Sequence, residues 1–163
     1  MKKLYIIRHA KSDWSDDTLQ DFDRPLNKRG LKNAPFMGNL LKNKNINPDL
    51  ILSSPALRTF ATAGIIAKEI DYKKEIETNK NMYEAHFSVL EKIIYEIDDK
   101  NNIVFFIGHN PGLSNLIEKL CGMIQDIPTC AIVEISFDTN SWKNISKENS
   151  TLISYEYPKK YIK

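Results

Sequence analysis

At 163 residues, 42% apolar and 27% charged, the chain has the composition of a globular protein and enough length to bury a sizeable core as one domain over 1–163. Its 23 basic residues are answered by 21 acidic ones, and the resulting net charge of +2 gives no electrostatic case for nucleic acid. Two cysteines, Cys121 and Cys130, have no CxxC spacing and are too few for a disulfide framework, which fits a reducing cytoplasm.

The chain begins with KLYIIR, a short β-branched apolar run that reads as a buried strand. The run from Leu4 to Ile7 stops at Arg8, short of the roughly 7–15 apolar residues of a signal peptide. No later segment approaches the ~18 apolar residues of a membrane helix, so no membrane association is expected. The polar stretch AKSDWSDDTLQDFDRPLN follows, with five aspartates and Trp14 between Lys11 and Asp23. Helical spacing begins near Asn27, with Leu31, Ala34, Gly38 and Leu41 on one face; Pro35 is expected to kink or interrupt this helix.

PDLILSSP gives a second strand, Leu50 to Ser53, then an N-cap serine with Pro55 as the first helical residue. The helix it opens runs to about Ile70 and carries Leu57, Ala61, Ile65 and Ile66. KEIET reads as a short strand. FSVLEKIIYEI is strongly periodic, with Val89, Leu90, Ile93, Ile94 and Ile97 expected to face inward. NIVFFIGHNPG repeats the earlier design, a buried strand followed by Asn110 and Pro111 opening a helix. The alternating tail, AIVEISF to TLISYEY, reads as antiparallel strands, and Lys159, Lys160 and Lys163 as a solvated end. Strands alternating with helices predict a three-layer α/β/α sandwich with a mainly parallel central sheet, antiparallel at one edge. In such sheets ligands bind beyond the carboxyl ends of the strands.

Those ends carry the unusual residues. The first strand ends in Arg8-His9. The second runs into Ser53-Ser54-Pro55 with Arg58 just inside the helix, and a later one ends in Gly108-His109-Asn110-Pro111. Were these strands parallel neighbours, two histidines and two arginines would converge on one crevice. The planar fork of arginine suits phosphate oxygens, and helix N-termini add partial positive charge. A neutral histidine attacks phosphorus and a protonated one donates to the equatorial oxygens, so two histidines permit one of each. One such motif alone is as readily a helix cap or a structural strand end. Their joint occurrence in this order points to a phosphoryl site.

RHAKS at residues 8–12, RPLNKRG at 24–30, SSPALRT at 53–59 and GHNP at 108–111 together resemble the histidine phosphatase superfamily, which shares its fold with cofactor-dependent phosphoglycerate mutase. Within it, the chain is similar to the SixA-like phosphohistidine phosphatase branch. The resemblance implies that His9 is the nucleophile, that Arg8, Arg58 and His109 bind phosphate, and that Arg24 adds a further phosphate contact. Ala10 stands where mutases usually have glycine. Glu84, in NMYEAHF, has two readings, a leaving-group acid or a helix-start glutamate favoured by the dipole. His86 reads as an exposed helix-start residue. No metal is expected, because no HxxxH or comparable ligand spacing exists, and no cofactor is implied. GHNPGLSN lacks the lysine of a nucleotide-binding phosphate loop.

The intervals between the motifs are short, which predicts an open site suited to phosphohistidine on a protein, with phosphate, vanadate or tungstate as site ligands. The alternative substrate is a small phosphorylated metabolite. Mutase activity fits less well, because no long lid is present to retain an intermediate. A non-catalytic module that docks phosphorylated proteins is the reading from a different class, and it would be expected to have lost His9.

Overall fold

The computed structural model describes residues 1–162. Among them six strands form one sheet in the order β3-β2-β4-β1-β5-β6. They are β1 (Lys2–Arg8), β2 (Leu50–Ser53), β3 (Glu77–Thr78), β4 (Ile103–Gly108), β5 (Ile132–Phe137) and β6 (Ser150–Glu156). The first four are mutually parallel, while β5 pairs antiparallel with β1 and β6 antiparallel with β5, as the alternating tail predicts. Helices α1 (Lys28–Asn43), α2 (Leu57–Glu69), α3 (Phe87–Tyr95) and α4 (Gly112–Cys121) cover its two faces. No helix among the described residues is long and apolar enough to cross a membrane.

Both faces of the central strands are dry, which explains their unbroken apolar runs. Tyr5, Ile7, Phe105 and Ile107 pack toward Met37, Leu41 and Ile66 of α1 and α2. Leu4, Ile6 and Phe106 pack on the other side with Leu90, Leu116 and Ile117 of α3 and α4. Each such side chain contributes roughly 1.5–3 kcal/mol by leaving water. Lys2 is buried at the start of β1, its ammonium donating to Asp99 O, Asn101 O and Asn102 Oδ1.

Several local expectations are refined or corrected. Pro35 lies within α1 and does not interrupt it. The carbonyl deprived of its partner belongs to Leu31, 56% exposed, so that turn lies where water can replace the bond. Leu31 is therefore not on the packed face, which is formed by Gly30, Asn33, Ala34, Met37, Gly38 and Leu41. Gly38 is needed there, since a Cβ would come within 2.9 Å of Glu69 Cβ on α2. Helix α2 starts at Leu57, with Ala56 rather than Ser54 as its N-cap. Leu57 is 45% exposed, and the inward face is Arg58, Thr59, Thr62, Ala63, Ile66 and Ala67. Polar residues serving the site displace the apolar face that periodicity alone predicts.

On α3, Val89 is 39% exposed, while Leu90, Ile93 and Ile94 are buried as expected and Ile97 is buried just beyond the helix end. Helix α4 begins at Gly112, with Pro111 as its N-cap. Lys159 and Lys160 are exposed in a terminal 3₁₀ turn, and Lys163 lies outside the described residues.

Candidate active site

Strand register brings the two histidines together. β1 and β4 pair so that Arg8 is opposite Gly108, placing His9 and His109 side by side one residue beyond, with ring centroids 5.3 Å apart. β2 pairs on the other side of β4 with Ser53 opposite Ile107, which carries Ser54 to the same edge. Three strand ends separated in sequence thus form one site at the carboxyl edge, as expected for this sheet type.

His9 is held on all sides. Its N–H donates to Gly108 O at 3.2 Å and its carbonyl accepts from Cys130 N at 3.0 Å. The amide of Ala10 donates to Thr62 Oγ1 at 2.9 Å, fastening the strand end to α2. The ring Nδ1 lies 2.7 Å from Ala10 O. A carbonyl accepts only, so Nδ1 carries the proton and Nε2 keeps its lone pair. Burial, opposed by that carbonyl and reinforced by Arg58, Arg8 and Arg24, lowers the imidazole pKa from 6.5 to about 4. A neutral ring with a free Nε2 is the form that attacks phosphorus.

His109 Nε2 lies 2.8 Å from Ser54 Oγ and 3.1 Å from Thr59 Oγ1. Burial, then the charges of His9 and Arg58, lowers its pKa to about 3. The division that the sequence permits, one neutral histidine and one protonated, is therefore not what the free site holds: both rings are neutral. The other ring nitrogen, Nδ1, is buried without a hydrogen-bond partner among the described residues. Arg8 Nε and Arg58 Nε are in the same condition. Unmet buried donors cost about 1–3 kcal/mol each, and two guanidinium donors beside two imidazoles suit a ligand rich in acceptor oxygens.

The arginines differ in what holds them. Arg8 donates from one terminal nitrogen to Ile127 O at 2.9 Å. Arg58 donates to Asp21 O at 2.7 Å and Asp21 Oδ2 at 3.0 Å. Arg24 donates twice to Asp21 Oδ1, at 3.1 and 3.0 Å, and once to Ser12 Oγ at 2.6 Å, while Trp14 stacks on its guanidinium at 3.4 Å. Three of the five N–H bonds of Arg24 are thus taken by the chain itself. The aspartate-rich loop does form a wall, but its working member is Asp21, in a 3₁₀ turn over Asp21–Asp23.

Asp21 also accepts from Tyr83 Oη at 2.5 Å, and the Tyr83 ring meets His109 edge-on at 5.4 Å between centroids. Burial alone would raise the Asp21 carboxyl; Tyr83, Arg24 and Arg58 outweigh it and bring the pKa to about 2. Ser54 was marked from sequence only as a strand-end and N-cap serine, and Asp21, Tyr83, Thr59 and Thr62 were given no role. Asp21 was hidden among five aspartates, and the hydroxyl residues look like ordinary helix-start residues.

Glu84 is exposed and lines a cavity of about 340 Å³ with His109, Asn110 and Pro111. Its φ of 53° is left-handed, unfavourable for a residue with a Cβ. The following Ala85 carbonyl packs so closely on Gly112 that a Cβ there would sit 2.4 Å from it. This contact fixes the Glu84 turn against the start of α4. His86 is the exposed N-cap of α3, accepting from Ser88 N, and lines the same cavity as Glu84. Among the described residues no group of three or more His, Cys, Asp or Glu side chains could hold a metal.

Comparisons with known proteins agree with this geometry. An uncharacterized chloroplastic protein of Arabidopsis thaliana is 31% identical over 154 residues, covering 87% of this chain and 69% of that protein. Phosphoserine phosphatase 1 of Hydrogenobacter thermophilus is 28% identical over 140 residues, covering 78% of this chain and 64% of that one. Among solved structures, a protein described as phosphohistidine phosphatase SixA from Agrobacterium tumefaciens superposes with a TM-score of 0.84 at 26% identity, covering 96% of this chain and 98% of the other. The family model described as histidine phosphatase superfamily (branch 1) matches residues 4–111, from the first strand through both candidate histidines. The chain belongs to the histidine phosphatase superfamily.

Proposed function

We propose that this phosphatase removes phosphate from phosphohistidine on a protein, through a covalent intermediate on His9. One observation carries the reading: Ala10 O fixes the proton of a neutral His9 on Nδ1, leaving Nε2 as a free nucleophile beside the unmet Nε donors of Arg8 and Arg58 and the unpartnered Nδ1 of His109. Nε2 attacks phosphorus as the N–P bond to the substrate imidazole breaks, and that ring departs with a proton. Water then hydrolyses phospho-His9, releasing orthophosphate and restoring the neutral ring. Arg8, Arg58 and His109 bind the equatorial oxygens, and Arg24 acts mainly by holding Asp21 and the loop, with its two remaining N–H bonds available to phosphate.

Two features support a protein-borne substrate. Asp21 bonds three pocket side chains yet is 40% exposed, so the site opens at the surface. The fold also superposes closely on that of the protein described as SixA. The similarity to a phosphoserine phosphatase favours a small phosphorylated metabolite as the second reading. A brief reaction with labelled phosphohistidine protein, acid-free denaturation and peptide mapping tests the mechanism. The expected result is an acid-labile label on His9 that is absent from His9→Ala. No label and no turnover on any phosphorylated substrate would leave a binding module. A panel of kcat/KM values over phosphohistidine proteins and phosphoserine then separates the two substrate readings.

A further inference from the structure

Beside the candidate site lies a cationic trough of which the phosphoryl chemistry uses only Arg8. A cavity of about 250 Å³ is lined by Arg8, Lys11, Arg29, Thr129 and Lys159 with two prolines, and by no acidic residue. A second, of about 440 Å³, shares Arg29, Pro158 and Lys159 with the first and continues to Lys32 and Ile162, again without an acid. Lys11 is two residues past His9, so the trough begins at the phosphoryl pocket. Lys11, Arg29, Lys32 and Lys159 make no ion pair among the described residues. Asp126, whose charge Arg8 feels, accepts instead from Asn110 Nδ2 at 2.9 Å and lines neither cavity.

A second observation is independent of the cavities. The first turn of α1 holds Lys28 and Arg29 and no acidic residue. A helix N-terminus carries partial positive charge and favours carboxylates, so cations there work against the helix. Arg29 and Lys32, at i and i+3, share one exposed face and extend that charge along the trough. In a chain whose net charge is only +2, this local excess is not a by-product of composition.

We propose that this trough docks acidic residues flanking the phosphorylated side chain of a protein substrate; the proposal rests on the phosphatase reading above. Arg29, Lys32 and Lys159 are exposed, and the cations are strung along two joined cavities rather than converging on one point, which suits several spaced carboxylates better than a single second phosphate. Pro128, Pro158 and Ile162 offer apolar contact for a peptide backbone. No aromatic ring lines the trough, so it lacks the stacking platform of a single-stranded nucleic acid site.

The test compares two phosphohistidine peptides of equal length, one flanked by aspartates and one by glutamines. Wild-type kcat/KM should favour the acidic peptide by roughly tenfold at low salt, with the ratio falling toward one at high ionic strength. In the Arg29→Gln/Lys32→Gln/Lys159→Gln variant the ratio should approach one without added salt. Its Tm should not fall, because none of the three makes an ion pair among the described residues and Arg29 opposes the helix dipole. A wild-type ratio near one, or a preference that survives neutralisation, overturns the proposal. If neither peptide is hydrolysed, the phosphatase reading fails separately. Fluorescence anisotropy of the unphosphorylated acidic peptide then decides: weaker binding by the variant supports the trough, and equal binding overturns it. Tighter capture of an oligothymidylate or of phosphatidylserine vesicles than of the acidic peptide would also overturn it.

Discussion

Replacing Arg58 with lysine keeps the charge and removes the fork. In the free site the terminal nitrogens of Arg58 donate to Asp21 O and Asp21 Oδ2, while Nε is buried and unmatched. A phosphoryl group therefore receives a bond from Nε without breaking the pair that orients the guanidinium. An ammonium's three donors radiate from one nitrogen and cannot span the Asp21 and phosphoryl positions that the fork joins, so Arg58→Lys forfeits about one charge-assisted hydrogen bond, roughly 1.5–3 kcal/mol. Expressed in the transition state, that is roughly a ten- to 150-fold loss in kcat/KM. Arg58→Ala removes the whole contact and should cost about 2–4 kcal/mol in the same quantity. Stability should change far less. The ion pair has one partner 40% exposed, worth ~0–1 kcal/mol, and Arg24 and Tyr83 still hold Asp21. At this size 1 kcal/mol shifts Tm by about 2–4 °C. The assay is steady-state hydrolysis of p-nitrophenyl phosphate beside thermal melting of each variant. A loss below about threefold for Arg58→Lys, at unchanged Tm, would refute the role given to Nε.

The histidines make the fold acid-sensitive. His9 has a folded pKa of about 4 against 6.5 unfolded, so the unfolded chain takes up the proton first and stability falls as pH drops from 6.5 toward 4. Tm should decline over that window, and less steeply in His9→Gln; equal slopes would contradict a neutral buried ring. Asp21→Asn raises the charge of the pocket by one, so orthophosphate should inhibit at lower concentration while kcat falls as Arg58 loosens; weaker inhibition would count against an anion site. Glu84→Gln keeps the side chain's shape but removes its proton. It should slow alkyl phosphate hydrolysis by the 10²–10⁴-fold typical of acid catalysis and spare phosphohistidine, whose imidazole departs with little help. Equal losses on both would make Glu84 a positioning residue, and no loss would leave it a helix-start glutamate.

His9, Arg58 and His109 were legible because each follows an apolar run whose direction and end can be read locally, and a parallel sheet brings such ends together. The tail strands were legible for the same reason. Asp21 was not, because its partners Arg58 and Tyr83 are 37 and 62 residues away and no periodicity marks it among its neighbours. The faces of α1 and α2 were misread where function and close packing override hydrophobicity. Gly38 admits α2 to close range, and Arg58, Thr59 and Thr62 turn inward to serve the strand ends. Glu84 could be placed before a helix from sequence, but its left-handed backbone and the Gly112 contact depend on the fold.

The pairing of β1 with β4 joins residues such as Lys3 and Ile103, and β5 closes the other side of β1. During synthesis the first histidine thus leaves the ribosome long before the second, and its strand has no central neighbour until about two-thirds of the chain has emerged. A nascent or truncated chain ending before β4 cannot assemble the site. The bond from Cys130 N to His9 O further ties the proposed nucleophile to a segment made later still. Such long-range closure is slow relative to local helix formation. In refolding experiments we expect activity to return with the last phase of sheet assembly, and recovery ahead of it would show that His9 is organised by local structure alone. No half-built chain would then be released carrying a working phosphatase.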